Sequence, residues 1–314
     1  MFALRFDIDS NFGLTRRLEP LLALLRRFGI NATFFCVMGR DASLAEILRL
    51  RIFGRGQAAP DGGAMGMPDL RVPPNLPKTL YTLAFPRRVG HGHPHILREL
   101  VAAGHEVYPH GWSHIQWQRN LAHIDIRQHL ARCIDAHADI FGQAPRGFGS
   151  PGRVYNPHAL ALFDDLGFDF VGDMDGTQPF VPPAQRCLQI PVTWFKTIAE
   201  FAAEGADTTT IAASYFQHIT SRPFAVIYEY PDNLGSFELD VLRVLFSKRR
   251  RRRHCGHHVQ CDSRRTCAGN CHAFAMIPAP CTRVGFFLID PITHLLVGQP
   301  VLQCRERAAR RRSD

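Results

Sequence analysis

Residues 106–114 read Glu-Val-Tyr-Pro-His-Gly-Trp-Ser-His. This stretch starts as a short apolar strand and runs directly into His110 and His114, two imidazoles four residues apart. A second apolar strand, residues 3–8, contains Asp7 and is followed directly by Asp9. Barrel enzymes keep their chemistry at the carboxyl ends of strands. The histidine pair and one of these carboxylates therefore predict a three-ligand cation site with an open fourth position. The spacing by itself leaves surface histidines without a ligand as the alternative.

Strands and helices alternate along the chain around this stretch. Apolar runs of strand length are followed by stretches with apolar residues at helical spacing, with Pro, Asp or Asn at several helix starts and Gly at several ends. The strands are predicted at 3–8, 32–38, 106–108, 168–171, 188–190 and 224–230, and the helices at 19–29, 94–104, 125–142, 156–167 and 208–219. About seven strand–helix units in a row predict an α/β fold with a parallel sheet, and closure into a barrel is its economical form.

Charge divides the chain into two parts. The net charge of +9 comes from residues 248–314, where 14 Lys and Arg stand against 4 Asp and Glu. We therefore predict one domain over 1–247 and a basic, Cys- and His-rich tail over 248–314 that is divergent or disordered. A small zinc module in the tail is the alternative. No specific nucleic-acid binding is expected of the main domain, although the tail could bind anionic lipid or nucleic acid nonspecifically.

The cysteines and the hydropathy of the chain indicate the cellular compartment in which the protein is expected. Cys36, Cys133 and Cys187 are dispersed through the first part of the chain and make no disulfide framework, which is typical of a reduced, intracellular protein. No apolar run approaches the ~18 residues of a membrane span, and the start lacks the basic region of an export signal. We expect a cytoplasmic protein, with peripheral contact at the inner face of the membrane as a further expectation.

Several short motifs of this chain resemble those of one protein family, and they occur in the order in which that family has them. They are Arg5-Phe6-Asp7-Ile8-Asp9, Gly104-His105-Glu106-Val107, His110 to Gln118, Val89 to Arg98 and Gln189 to Thr193. Together they resemble the polysaccharide deacetylases with the NodB homology domain, a carbohydrate esterase 4-like family. Within it they look most like the branch that deformylates 4-deoxy-4-formamido-L-arabinose on undecaprenyl phosphate.

The resemblance implies a distorted (β/α) barrel of about seven strands and a divalent metal ion. It makes Asp9, His110 and His114 the metal ligands and Asp7 the general base that takes a proton from water. Zinc is favoured by the ligand types, with cobalt, manganese and nickel as alternatives. The implied enzyme is a hydrolase acting on carbon–nitrogen bonds other than peptide bonds.

The later motifs depart from the family in two places, and one is Ser150-Pro151-Gly152-Arg153, which lacks the Trp of the Gly-Trp-Arg that the related deformylases carry in the pocket wall. Arg153 resembles the arginine that pairs with and orients the base, and Asp173 stands where the family keeps an acidic residue that tunes the proton donor. Tyr228 takes the place of the histidine that serves as general acid. A phenol with a pKa near 10 donates less readily than an imidazolium near neutral pH. Tyr228 is expected to donate, with His91 and His105 as alternative donors.

The implied substrate is an N-formylated or N-acetylated amino sugar that is expected to be lipid-linked, with another polysaccharide as the alternative. His91, Trp112 and Trp117 are expected to contact it. Residues 44–55 combine apolar side chains with arginines and are a candidate membrane contact, with a helix packed on the barrel as the alternative.

Two functions of other classes compete with the hydrolase. Tyr228 and the unusual carboxyl-terminal part are compatible with a catalytically impaired module that binds a sugar or glycolipid without turnover. Two histidines and one carboxylate also describe a nonheme iron oxygenase. The order of the motifs, with the aspartates first, argues against the oxygenase.

Overall fold

The computed structural model describes residues 2–43, residue 46 and residues 86–255, the last seven of these by their backbone alone. The predicted helix at 44–55, apart from residue 46, lies outside the described residues. So do the tail beyond residue 255 and the zinc module considered there.

The described residues form seven strands and eight α-helices. The strands are β1 Phe2–Ile8, β2 Thr33–Cys36, β3 Glu106–Pro109, β4 Gly147–Phe148, β5 Phe170–Val171, β6 Leu188–Gln189 and β7 Ala225–Glu229. The helices are α1 Leu18–Phe28, α2 Pro94–Ala102, α3 His114–Asn120, α4 Ile126–Phe141, α5 Pro157–Asp165, α6 Ile198–Ala203, α7 Thr208–Thr220 and α8 Ser236–Cys255. Short π or 3₁₀ segments lie at Gly13–Arg17, Gly90–Gly92, Pro151–Arg153 and Pro231–Asn233.

The strands follow one another in barrel order. One sheet has the order β3-β2-β1-β7 and the other β4-β5-β6, and every ladder is parallel. Two seams join the sheets: the Gly149 N–H donates to the Pro109 carbonyl at 3.1 Å, and the Thr193 N–H donates to the Val226 carbonyl at 3.0 Å. The predicted α/β architecture, a distorted barrel of seven parallel strands, is confirmed.

Alternation along β1 explains how polar groups enter the barrel. All seven residues of the strand are buried. Phe2, Leu4, Phe6 and Ile8 belong to the core between the strands and the helices. The residues between them, Ala3, Arg5 and Asp7, point to the other face because side chains alternate along a strand. Ala3 belongs to a second apolar cluster with residues of β2, β3, β5 and β7. Arg5 and Asp7 therefore lie inside the barrel, toward its carboxyl end.

Most predicted helix ends are confirmed by the capping contacts. The Asp125 carboxylate accepts the Gln128 N–H and the Asn156 amide oxygen accepts the Ala159 N–H, so each of these residues caps the helix that it precedes. Gly142 ends α4 in the left-handed conformation.

Three elements between residues 110 and 205 were not predicted: α3, β4 and α6. Each has fewer than eight residues, too short for a hydrophobic period to stand out. Helix α8 was also missed, and it continues through residue 247, where the domain boundary was expected, as far as Cys255. Within the described part of the chain, no helix is long and apolar enough to cross a membrane.

Candidate metal centre

The candidate centre lies at the carboxyl ends of β1 and β3. Asp9 is the first residue after β1, and His110 is the first after β3. Strand β2 pairs with both, so these two ends lie one strand apart at the same rim. His114 is the first residue of α3, which is capped by the Ser113 hydroxyl. A strand end and a helix start thus bring both imidazoles to one carboxylate.

The three side chains predicted as ligands face one another. Asp9 Oδ1 lies 3.4 Å from His110 Nε2, and Asp9 Oδ2 lies 3.6 Å from His114 Nε2. One ligand atom from each residue lies within 4.8 Å of the other two. The Asp9 and His114 side chains are 27% and 23% exposed, so the cluster is open to solvent on one side.

Two unsatisfied atoms show that a cation fits this donor set. Asp9 Oδ1 and His110 Nε2 are buried and have no hydrogen-bond partner, which is rare for buried polar atoms. His110 Nδ1 lies 2.7 Å from the Gly149 carbonyl oxygen, which holds the proton on Nδ1 and turns the Nε2 lone pair toward Asp9. A divalent cation would satisfy both atoms at once.

The pKa shifts in the cluster favour ligation. Burial lowers the pKa of His110 to about 4 and that of His114 to about 3, so both imidazoles are neutral near pH 7 and offer a lone pair. Burial, followed by the nearby charges of Asp232 and Asp7, raises the pKa of Asp9 well above its usual range. A positive charge beside Asp9 would lower the pKa of this carboxyl and stabilise its ionised form.

Asp7 lies beside the cluster and is held by an arginine of its own strand. Its Oδ2 is 3.8 Å from His110 Nε2. Arg5 donates from Nε to Asp7 Oδ1 at 2.6 Å and from Nη2 to Oδ2 at 2.9 Å. Arg5 also donates from Nη1 to the Gly172 carbonyl at 2.6 Å. The pairing predicted between Arg153 and the base is thereby corrected, because Arg5 makes it.

The barrel interior is shaped around the Arg5 guanidinium. It lies 4.5 Å over the Phe35 ring. A Cβ atom at Gly149 would come 3.0 Å from its Nη2, and one at Gly172 would come 2.7 Å from its Nη1. Arg5 belongs to the motif at residues 5–9, but no role was predicted for it from the sequence. The sequence did contain a signal for this contact. Arg5 and Asp7 are two residues apart on a strand of otherwise apolar residues, so they share one face of the strand.

Arg153 lies farther round the rim. It donates from Nη1 to Asp175 Oδ1 at 2.8 Å, and its guanidinium lies 4.3 Å over the Phe195 ring. Asp173 is buried, and burial raises its pKa to about 6. It accepts the Ser150 N–H at 2.6 Å and the Ser150 hydroxyl at 2.5 Å. Asp173 therefore braces the loop whose Gly149 carbonyl orients His110.

Tyr228 is in β7, paired in register with Arg5. Its hydroxyl donates to the Phe195 carbonyl over a long 3.4 Å, and its ring is 5.3 Å from that of Tyr230. Burial raises the pKa of the Tyr228 hydroxyl above its usual value, so the phenol keeps its proton at neutral pH. Tyr230 is hydrogen-bonded to Tyr228, and burial, followed by the charges of Tyr228, Asp7 and Asp9, raises the pKa of the Tyr230 hydroxyl. Sequence reasoning missed Tyr230, although its alternation with Tyr228 was visible.

Asp232 is a second missed residue, in the 3₁₀ segment that follows β7. Burial raises its pKa to about 6, and its carboxylate accepts hydrogen bonds from the Ser10 hydroxyl and the Asp9 backbone. It therefore ties the segment after β7 to the loop that carries Asp9. The sequence offered no periodic signal for this contact.

The three residues predicted to contact substrate have different surroundings. Trp117 is fully buried and its indole N–H donates to the Val154 carbonyl at 2.8 Å. It is a core residue, and the prediction of substrate contact is wrong for it. Trp112 is half-buried in the loop between His110 and His114, with the His91 ring centroid 6.3 Å from its own. His91 Nε2 lies 3.6 Å from Asp139 Oδ2.

His105, considered as an alternative proton donor, is at the wrong end of the barrel. It is buried immediately before β3, whereas His110 follows that strand. Its Nδ1 accepts the Ala32 N–H at 3.2 Å. Four residues of strand separate it from the centre, so the structure excludes it as a donor.

Comparisons with known proteins point to one family. Residues 1–171 match the family model described as polysaccharide deacetylase. A relative from Shewanella sediminis (strain HAW-EB3), named "Probable 4-deoxy-4-formamido-L-arabinose-phosphoundecaprenol deformylase ArnD", is 24% identical over 196 residues. That alignment covers 60% of this chain and 62% of the relative, so the chain spans less than two thirds of the relative's length.

Solved structures share the fold. The crystal structure of a "probable Polysaccharide deacetylase" from Pseudomonas aeruginosa PAO1 superposes with a TM-score of 0.54 at 16% identity, over 80% of this chain and 84% of the other. The crystal structure of Puue allantoinase gives a TM-score of 0.53 at 15% identity, over 80% and 84% of the two chains. At these identities the likeness concerns the fold alone.

Proposed function

The chain belongs to the polysaccharide deacetylase family, and from that premise we propose that it is a metal-dependent hydrolase that removes a formyl or acetyl group from the nitrogen of an amino sugar. One observation carries the proposal: Asp9, His110 and His114 converge on one point beside Asp7. That arrangement provides both a cation site and a carboxylate able to accept a proton next to it.

Asp9, His110 and His114 are the proposed ligands. Zinc suits two imidazoles and a carboxylate, and cobalt, manganese or nickel could replace it. When bound, the cation supplies Lewis acidity, which polarises the amide carbonyl and makes water a better nucleophile. The partial exposure of Asp9 and His114 supports an approach of substrate from that side.

Asp7 is the proposed general base. As water adds to the amide carbon, Asp7 accepts its proton. Both oxygens of Asp7 are held by Arg5, so the carboxylate keeps a single orientation and no entropy is lost in aligning it. Charge-assisted bidentate pairs of this kind are among the strongest hydrogen bonds in proteins. Arg5 is therefore a positioning residue for Asp7.

The departing nitrogen needs a proton, and Tyr228 is the proposed donor. Its buried phenol retains its proton, and the positive charge of Arg153 opposes the rise in its pKa. Arg153, whose guanidinium pairs with Asp175 and lies over the Phe195 ring, is proposed to act on the donor. Asp173 is proposed to act through the Ser150 loop, by keeping the Gly149 carbonyl in place for His110.

A lipid-linked amino sugar is the proposed substrate class. The support is the relative whose name specifies a phosphoundecaprenol-linked formamido sugar. Since such a substrate is held in a bilayer, the proposal includes peripheral contact with the cytoplasmic face of the membrane. Trp112 and His91, at the edge of the centre, are the proposed sugar contacts, because half-buried rings provide apolar faces for stacking.

A second candidate function follows from Tyr228. A phenol with a raised pKa is a poor acid at neutral pH. A protein that binds the N-acylated sugar or glycolipid with little turnover is therefore the competing proposal.

The test uses the full chain loaded with Zn²⁺ and two substrate sets, N-formylated and N-acetylated amino sugars, each free and linked to undecaprenyl phosphate. Released formate or acetate is measured for the wild type, Asp7→Asn and, as the matched control, Asp165→Asn, which changes an exposed carboxylate. The hydrolase predicts release by the wild type and the control alone. Zinc bound without release, together with glycolipid binding, would favour the second candidate.

A further inference from the structure

The loop between the two histidine ligands supports one inference that deepens the proposed function and rests on it. We propose that His129, on α4, is a positioning residue that fixes the loop from His110 to His114 and thereby sets the affinity of the centre for a divalent cation. Nothing in the motifs indicated this residue, which lies 15 positions beyond the second ligand in the sequence.

The contact is made by the His129 ring. Its Nε2 lies 2.7 Å from the Trp112 nitrogen and 3.4 Å from the Ser113 nitrogen, and it accepts from both N–H groups. Trp112 and Ser113 are in the segment between His110 and His114. Moving the ring would therefore move the backbone that separates the two ligands.

The His129 ring is suited to this role because it is buried, neutral and held in place. Its exposed fraction is 5%. Burial, assisted by the charge of Arg132, lowers its pKa to about 4, so Nε2 has a lone pair near pH 7 and the proton is on Nδ1. One face packs on the Trp117 ring with the centroids 5.2 Å apart, and the Trp117 indole is tied to Val154.

The loop is held from its other side by the segment after β2. The Met38 N–H donates to the Gly111 carbonyl at 2.9 Å, and the Gly39 N–H donates to the Trp112 carbonyl at 3.0 Å. The carbonyls of the loop are thus bound on one side and its N–H groups on the other. A clamp of this kind holds the two imidazoles apart at a set distance before any cation arrives, and preorganised ligands bind metal more tightly.

His137 offers a matched control. It is on the same helix, two turns later, and is also 5% exposed. Its ring nitrogens contact the Gln143 and Val107 carbonyls at 2.8 Å and 3.3 Å and make no contact with the ligand loop. Replacing either histidine with phenylalanine keeps a ring and removes polar contacts from a comparable site, so general destabilisation is matched between the two variants.

The experiment titrates metal-free full-length protein with Co²⁺ and follows the visible absorption of the bound ion. His129→Phe is expected to weaken Co²⁺ binding by about 10-fold, whereas His137→Phe binds with wild-type affinity. His129→Gln, whose side-chain amide oxygen can accept in place of Nε2, is expected to restore most of the affinity. Should His129→Phe not fold, His129→Asn replaces it, because its shorter amide does not reach the loop.

Three results would overturn the inference. They are equal Co²⁺ affinity in wild type and His129→Phe, equal weakening in the His129→Phe and His137→Phe variants, and a His129→Gln variant as weak as His129→Phe. A wild type that binds no Co²⁺ would overturn the metal centre of the proposed function and this inference with it. A wild type that binds Co²⁺ but releases no acyl group would count against the hydrolase alone, since cation affinity does not require turnover.

Discussion

Arg5 and Asp7 stand two residues apart on the inner face of β1, and the guanidinium binds both carboxylate oxygens of Asp7. The strand itself supplies this partner, so the orientation of the proposed base does not depend on a distant loop. The contact also sets the direction in which Asp7 faces the candidate metal centre.

Arg5→Lys should lower kcat for acyl release by about 100-fold, because an ammonium keeps the charge but cannot hold a carboxylate at two points. Bound zinc per chain should stay unchanged. Arg153→Lys is the matched comparison, since Arg153 pairs with Asp175 at the rim, and its kcat should fall much less. Similar losses in the two variants would show that Arg5 has no special hold on the base.

Tyr228→His should raise kcat near pH 7 by about 10-fold, because an imidazolium gives up its proton more readily than a buried phenol. Tyr228→Phe, which has no proton to give, should fall below the wild type. Rates of formate or acetate release measure both. If Tyr228→Phe turns over as fast as the wild type, the proton comes from another group.

Zinc should raise the thermal midpoint of the metal-free protein by about 5 °C at saturating concentration, because a ligand that binds only the folded state stabilises it. The Asp9→Asn and His114→Gln variants should lose that increase. His91→Gln, a histidine outside the cluster, should keep it. An equal zinc response in all three would place the cation elsewhere.

Stability should fall between pH 7 and pH 8 because of Glu229 in β7. Burial raises the pKa of this carboxyl to about 8, while the unfolded chain ionises it near pH 4. The folded state therefore holds the extra proton in this window, and raising the pH favours unfolding, by at most about 1 kcal/mol per pH unit. Urea unfolding of Glu229→Gln should show a flatter profile.

Glu204→Gln, which changes an exposed carboxylate, is the control for that profile. Above pH 7 the buried histidines with lowered pKa values, such as His110, contribute little to the pH dependence of stability, since they are mostly neutral there in both the folded and the unfolded chain. If the free energy of unfolding of the wild type depends on pH as little as that of Glu229→Gln, the Glu229 carboxyl is ionised in the folded protein.

Substitution of Trp117 should affect stability, whereas substitution of Trp112 should affect substrate binding. Trp117→Ala removes a fully buried ring and should lower the free energy of unfolding by about 3–5 kcal/mol. Trp112→Ala should raise KM with little loss of stability. Steady-state kinetics and urea unfolding of both variants check this, and a KM unchanged by Trp112→Ala would remove that ring from the substrate site.

The amino-acid sequence alone determined the alternation of strands and helices and the three candidate ligands. Helical periodicity and caps such as Asp125 are local properties, readable within one or two turns. His110 and His114 could be placed with the aspartates that end the first strand because parallel strands bring their carboxyl ends to one rim. The choice of Asp9 as the ligand came from the family resemblance. Strand β4, of two residues, was missed because no period fits in so short a run.

The side chains around the candidate ligands could be identified only from the tertiary structure. The partner of Asp7, the burial of Trp117 and the contact of His129 with the ligand loop depend on which strands become neighbours and how a helix packs across them. Sequence spacing has no bearing on such contacts, since His129 and Trp112 are brought together by the packing of α4 against the barrel. The candidate ligands could be identified from the sequence, but the residues that support them could not, because those contacts form only when distant segments pack together.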